Sequence, residues 1–405
     1  MRRVVITGVG SWNGFGAGVP VFLDALRAGR CAIGDMTLFP TDGFRTHRAA
    51  VAPTPQDDRA LPAPLARRLS RSDRLALAAA REAWAGSGIA ESGLAADRLA
   101  VVVGGTTGGM LEAEETLRRR RSGQTRRFRP RRLVSMPVHI TAEVVAFALG
   151  CRGARATLVT ACSSSANSIG LAADWIQEGR ADAVVAGGTD AHCKMTYAGF
   201  NALQALDPQS CRPFDRRRAG LSLGEGAAMF VLEEEERARK RGAEIHAVFA
   251  GYGTSADAHH MTAPDPEGRG AALAMRRALA EANLAPCDVD YVNAHGTGTP
   301  QNDPIETRAL KTVFGEHARR FGVSSTKSQV GHCLGAAGAI EILATVLALR
   351  HAFLPPTVNL EEPDPECDLD YVPREARDKR LRAALSNSYG FGGNNTSVVL
   401  LYADA

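Results

Sequence analysis

The chain has 405 residues, 45% of them hydrophobic and 23% charged, with a formal net charge of +4. That composition is that of a soluble globular protein large enough for a two-part core, and it excludes low-complexity and collagen-like chains. Eight cysteines without a C-x-x-C pair or regular spacing suggest neither a zinc site nor a disulfide framework, and point to a reducing, cytoplasmic setting. No apolar run approaches the ~18–20 residues that span a bilayer, and Met1-Arg2-Arg3 leads into a strand without room for a signal peptide.

Short β-branched runs alternate with helical ones from end to end, which predicts an α/β fold. The first strand, Arg3–Gly8, enters Gly8-Val9-Gly10-Ser11-Trp12-Asn13. This run begins like a dinucleotide fingerprint, but Asn13 stands where the third glycine is needed, so it reads as a glycine-rich strand-to-loop turn. A helix over Ser72–Gly86, a strand over Leu99–Gly104 and a helix over Pro137–Leu149 follow. Next come a strand at Thr157–Thr160, a helix at Ala166–Glu178, strands at Ala183–Gly188 and Ala228–Glu233, and a polar helix at Glu233–Arg241. The remainder reads as strand Ala247–Gly253, helix Gly268–Ala282, strand Val289–Ala294, helix Ile305–Phe314, strand Val323–Ser325, helix Leu334–Leu349 and strands Ala383–Ser388 and Ser397–Tyr402. The polar stretch ending at Gly242 divides the chain into halves of residues 1–242 and 243–405.

Charge is uneven. Residues 116–132 hold nine arginines and no acid, and removing them turns +4 into −5. A smaller cluster is Arg67, Arg68, Arg71 and Arg74. Such patches are either solvated loops or docking faces for an acidic partner. One aromatic, Phe128, and no recognised motif argue against nucleic acid.

The chemistry-bearing residues fall at three strand ends, where α/β folds collect ligands. Cys162 follows a short apolar strand expected to be buried and precedes a helix, whose N-terminal amides favour a thiolate. His295 lies in Asn293-Ala294-His295-Gly296-Thr297-Gly298-Thr299, a strand running into a glycine turn. Lys327 and His332 lie in Ser325-Thr326-Lys327-Ser328-Gln329-Val330-Gly331-His332. His259-His260 lacks carboxylates at metal-ligand spacing, so no metal site is expected.

These three motifs resemble the nucleophile and histidine motifs of the β-ketoacyl-acyl carrier protein synthases, the type II elongating condensing enzymes and their polyketide ketosynthase relatives. Thr160-Ala161-Cys162-Ser163-Ser164, Gly224-Glu225-Gly226-Ala227 and Ser388-Tyr389-Gly390-Phe391-Gly392-Gly393 extend the resemblance over nearly the whole chain. It implies a thiolase-like five-layer αβαβα fold of two similar halves, with Cys162 in the first and both histidines in the second. Cys162 is then the nucleophile and His295 and His332 the enolate donors, with Lys327 orienting a histidine. Amides of Cys162 and Phe391 form the oxyanion hole, and Phe391 is a gate. Glu341, Asp303 and Glu306 support the network, and Thr107 lines the acyl pocket, where its polarity departs from the usual branched apolar residue. The segment around His259-His260 is structural or lines the pantetheine arm.

The implied reaction is a decarboxylative condensation of a Cys-bound acyl chain with malonyl-acyl carrier protein, in fatty-acid or polyketide and polyene biosynthesis. It requires no metal or organic cofactor, since substrates ride on the carrier's phosphopantetheine. The implied partners are an acidic acyl carrier protein, docking near Arg71, Arg131 and Arg132, and a second ketosynthase-like subunit in a homodimer or heterodimer. No membrane or nucleic acid is involved. A catalytically silent chain-length partner is the alternative; such subunits commonly lack the cysteine present here. A thiolase is disfavoured because the loop at Gly390-Phe391-Gly392-Gly393 carries no second cysteine.

Overall fold

The computed structural model describes residues 2–56, 61–124 and 133–403. Ten strands form its main sheet path: β1 Val4–Asn13, β2 Leu99–Gly104, β3 Arg155–Leu158, β4 Ala183–Asp190, β5 Gly226–Glu234, β6 Ala247–Ala256, β7 Tyr291–Asn293, β8 Gly322–Ser324, β9 Ala383–Gly390 and β10 Asn394–Leu401. Eight helices matter for the site: α1 Arg71–Ser87, α2 Met110–Arg121, α3 Ile140–Leu149, α4 Ser164–Gln177, α5 Lys194–Ala202, α6 Arg269–Glu281, α7 Asn302–Phe314 and α8 Ala337–His351.

The strand order is β8-β7-β9-β10-β6-β1-β5-β4-β2-β3. Numbering the strands of each set of five in chain order gives 3-2-4-5-1 twice, with the same pattern of parallel and antiparallel neighbours. The two sets join edge to edge where Val4, Val5 and Ile6 pair with Phe249, Val248 and Ala247.

Alternation along the strands builds the layers. On β2, Ala100 and Val102 share a core with α4 and α8 residues such as Ile169, Ile340 and Leu343, whereas Val101 and Val103 join Leu75, Ala79 and Val145 of α1 and α3. On the second set, Leu385 and Val399 pack with Met275 and Leu310 of α6 and α7. Helices α4 and α8 thus lie between the two sets of strands, and α1, α3, α6 and α7 lie outside. Gly338 is seated against Ala166, where an added Cβ would come within 2.8 Å of the alanine methyl, and the Ala339 amide donates to Ser165 Oγ at 2.8 Å.

Several sequence expectations need correction. The glycines after Ile6 do not form a turn, since β1 continues to Asn13. A Cβ on Gly8 or Gly10 would lie 2.1 or 2.0 Å from the carbonyl oxygens of Ala83 and Ala79, so they let α1 lie directly on the strand. Gly251 and Gly253 on β6 meet Ala278 and Ala274 of α6 in the same way, at 2.2 Å each. Strand β3 is not buried: it pairs only with β2, and Val159 just beyond it is 59% exposed. Arg118 to Arg121 are not loop but the last turn of α2, where Glu115 pairs with Arg118 and Arg119. Leu334–His351 is long and apolar enough by composition to cross a bilayer, against expectation, but most of it is buried as the core helix.

Candidate active site

Cys162 is set by a sharp reversal. Strand β3 ends at Leu158, and Ala161, in the left-handed region at φ 54°, opens a short 3-10 turn over Ala161–Ser163 before α4. Ser164 Oγ accepts from the Thr160 amide at 2.9 Å and donates to the Ala161 carbonyl at 2.6 Å, which locks the turn. The second half repeats the device: Leu334 at φ 52° opens the turn Leu334–Ala336 before α8. The helix start favours a thiolate, but Cys162 is buried, and burial pushes its thiol up to about 11. Lys327 and the Phe391 amide, which hydrogen-bonds the sulfur, pull in the other direction. Burial therefore opposes the thiolate that the helix start favours.

His295, His332 and Lys327 converge from the ends of β7 and β8. Lys327 is 1% exposed, donates to the His295 carbonyl at 2.6 Å, stands 3.2 Å from His295 Nδ1 and pairs with the Glu341 carboxylate. An ammonium has no acceptor, so His295 Nδ1 accepts and its proton sits on Nε2. His332 reaches the same tautomer another way: its Nδ1 accepts the Leu334 amide at 3.1 Å. The two rings lie edge to face with centroids 5.5 Å apart. Burial and the Lys327 charge hold both well below the usual imidazole range, so both are neutral Nε2–H donors.

Carboxylates hold the loop that carries His295. Glu306 accepts from the amides of His295 and Gly296 at 2.8 Å each, and Asp303 from those of Phe214 and Gly298 at 2.8 and 3.1 Å. Burial raises the Glu306 and Glu341 carboxyls to about 7, against the pull of Lys327 on both. His260 Nδ1 accepts from the amides of Thr262 and Ala263 and so shapes its own loop. Among the described residues no group of three or more His, Cys, Asp or Glu could hold a metal.

A cavity of about 380 Å³ is lined by Cys162, His295, His332, Phe391 and Tyr389, with Thr297 and Thr299 on the approach. Phe391 stacks on Phe200 at 5.7 Å, and the left-handed Gly392 and Gly393 follow it. Thr107 is not part of this wall: its hydroxyl donates to Asp190 at 2.8 Å and to the Ala191 carbonyl at 3.0 Å. Arg71 is not a surface docking cation. It is buried in a two-point ion pair with Glu225, at 2.8 and 2.6 Å, because the Glu225 carboxylate at the start of β5 would otherwise be unpaired. Arg131 and Arg132 lie outside the described residues. The sequence reading missed Asp190, and quoted Glu225 and Tyr389 only within motifs, without a role.

The comparisons with known proteins agree with this geometry. Residues 1–238 match the β-ketoacyl synthase N-terminal domain and residues 246–361 the β-ketoacyl synthase C-terminal domain. A 3-oxoacyl-[acyl-carrier-protein] synthase 2 of Coxiella burnetii is 42% identical, with 98% of each chain covered. A putative polyketide β-ketoacyl synthase 1 of Streptomyces halstedii is 43% identical, again over 98% of both chains. The solved ishigamide ketosynthase/chain length factor superposes with a TM-score of 0.92 at 36% identity, covering 99% of each chain. The fold is thiolase-like and the site is that of an acyl-transferring condensing enzyme: the chain belongs to the β-ketoacyl synthase family.

Proposed function

We propose that the chain elongates acyl chains on an acyl carrier protein by decarboxylative condensation, with Cys162 as nucleophile. The observation that carries this is the pairing, in one cavity, of a thiol with two neutral imidazoles whose Nδ1 atoms are both occupied. The Cys162 sulfur attacks a carrier-bound thioester; the acyl group moves to Cys162, and the proton passes to the released pantetheine thiol. A malonyl thioester then enters past Phe391. Its C–CO2 bond breaks and the electron pair becomes an enolate, held by Nε2–H of His295 and His332. Neutral donors suit this step, because they stabilise the oxyanion without quenching the carbanion. The carbanion attacks the acyl-Cys162 carbonyl, and amides of Cys162 and Phe391 hold the tetrahedral oxyanion. Collapse releases a β-ketoacyl product two carbons longer and returns the cysteine. The scheme draws on protein groups alone and needs no metal or organic cofactor.

The carrier protein follows from the Coxiella relative's name, and a second subunit from the ketosynthase/chain length factor assembly. The open edge of β3, with Val159 and Phe147 exposed, supports a second copy or a related subunit. Eight unpaired cysteines support the cytoplasm.

Intact-protein mass spectrometry with saturated and polyunsaturated acyl carriers tests the scheme. Acyl mass on Cys162, followed by a two-carbon extension with malonyl carrier, is expected, and the preferred chain assigns fatty-acid or polyketide duty. Cys162→Ala must abolish loading, whereas Cys162→Gln must still decarboxylate malonyl carrier. Loading that survives Cys162→Ala removes the nucleophile assignment.

A further inference from the structure

One buried carboxylate has no part in this scheme, yet it joins two loops of the site. Asp190, the last residue of β4, is fully buried. Its Oδ1 accepts from the Thr106 amide at 2.9 Å and from the amide and hydroxyl of Thr107 at 2.7 and 2.8 Å. Its Oδ2 accepts from the Thr106 hydroxyl at 2.7 Å and from the Gly335 amide at 2.6 Å. Gly105 and Gly335 meet over this carboxylate: a Cβ on Gly335 would lie 2.7 Å from Oδ2 and 2.8 Å from Gly105 Cα. The neighbour of Gly335 is Leu334, held at φ 52°, whose amide fixes the His332 tautomer at 3.1 Å. Loop 104–109, carboxylate, turn and imidazole therefore form one unbroken chain of short bonds. All five groups that reach Asp190 are donors, which suits a carboxylate.

We infer that Asp190 is a positioning residue that couples loop 104–109 to the orientation of His332. This rests on the proposed condensing reaction, in which His332 is one of the two donors that hold the enolate. A change in the bonds from Thr106 and Thr107 alters how Oδ2 is shared with Gly335, and through Leu334 it alters the bond to His332 Nδ1. Close packing favours such transmission, since Gly105 and Gly335 leave no slack between the two loops.

The test uses Asp190→Asn and the milder Thr106→Val, each made in Cys162→Gln full-length protein. Asp190→Asn puts an amide N–H₂ among donors; Thr106→Val removes one donor from Oδ2. The first readout is malonyl-carrier decarboxylation, where kcat is expected to fall about tenfold or more with KM unchanged. The second is the imidazole ¹⁵N spectrum of histidine-labelled protein, with His332 assigned by its absence in His332→Ala. The His332 Nδ1 resonance is expected to move in both variants. A fall in kcat with that resonance unmoved, or no change in either readout, overturns the inference. If Asp190→Asn does not fold, Thr106→Val decides by the same readouts. If the Cys162→Gln parent itself fails to decarboxylate, the condensing reaction falls, and the ¹⁵N shift still decides whether Asp190 reaches His332.

Discussion

Tyr389 carries a hydroxyl that the fold leaves idle. Its ring lies 5.6 Å from His295 and lines the cavity, yet the buried oxygen has no hydrogen-bond partner among the described residues. An unpaired buried donor costs ~1–3 kcal/mol. Tyr389→Phe removes only that oxygen, so the urea midpoint should rise, with stability up by about 1 kcal/mol and turnover unchanged. A fall in stability or in malonyl turnover would mean that the hydroxyl has a partner in the working enzyme. The contrast with Cys162 explains what was readable at this scale. Cys162, His295, Lys327 and His332 each sit in a run of small and glycine residues at a strand end, and that local pattern marks them. Asp190 and Glu225 draw their partners from 84 and 154 residues away, and no local pattern announces a carboxylate whose donors come from elsewhere. Burial of Cys162 likewise depends on Phe391 and Gly390, more than two hundred residues away, so its opposing effect on the thiolate was not legible locally.

Elements follow the same division between local and distant causes. Leu99–Gly104 was legible to the residue, because five apolar residues ending in glycine make a strand buried on both faces. The fate of β3 was not: an apolar strand reads the same whether it lies inside a sheet or at its edge. Helix α2 was missed because its arginines look like a solvated loop, and the Glu115 pairs that stabilise it lie three and four residues before them. The glycines of β1 were misread for a physical reason. Their signal is shared by a turn and by a strand pressed against a helix. Two alanine substitutions separate these causes. Gly10→Ala forces a Cβ to 2.0 Å from the Ala79 carbonyl and should destabilise by more than about 3 kcal/mol, since α1 must lift. Gly86→Ala, in the exposed last turn of α1 with nothing within 4 Å of its Cβ, should stabilise by about 0.5–1 kcal/mol. Urea melts of the two variants measure both; a tolerated Gly10→Ala would return that run to the turn reading.

For the whole molecule, the duplicated strand order was legible only through the family resemblance, because the two copies share packing rather than sequence. The matched Gly8/Gly10 and Gly251/Gly253 pairs are a trace of it that becomes visible once both strands are seen under their helices. The core between the copies also sets the response to acid. Burial holds His192, His295 and His332 below the usual imidazole range and His246 at about 4. In the unfolded chain these four take up protons below about pH 6.5. A depressed histidine therefore contributes stability that is present above that pH and lost as pH falls. Glu306 and Glu341 act in the opposite direction. Raised to about 7, they hold protons in the native state that the unfolded chain has already released, so their contribution is present at low pH and lost as pH rises through 7. Through the window of about pH 4.5 to 6.5 the unfolded chain gains protons on these histidines and on His351, which burial also holds down, against protons held natively on raised carboxyls, Glu112 and Glu281 among them. The histidines make stability fall on acidification through this window, and the raised carboxyls flatten that slope. Urea midpoints at pH 5.0, 6.0 and 7.0, at one protein concentration, give that slope. His246→Gln, outside the site, should flatten it by about 1.4 kcal/mol per unit, which is one proton; an unaltered slope would mean that His246 titrates normally and that the core does not exclude its charge.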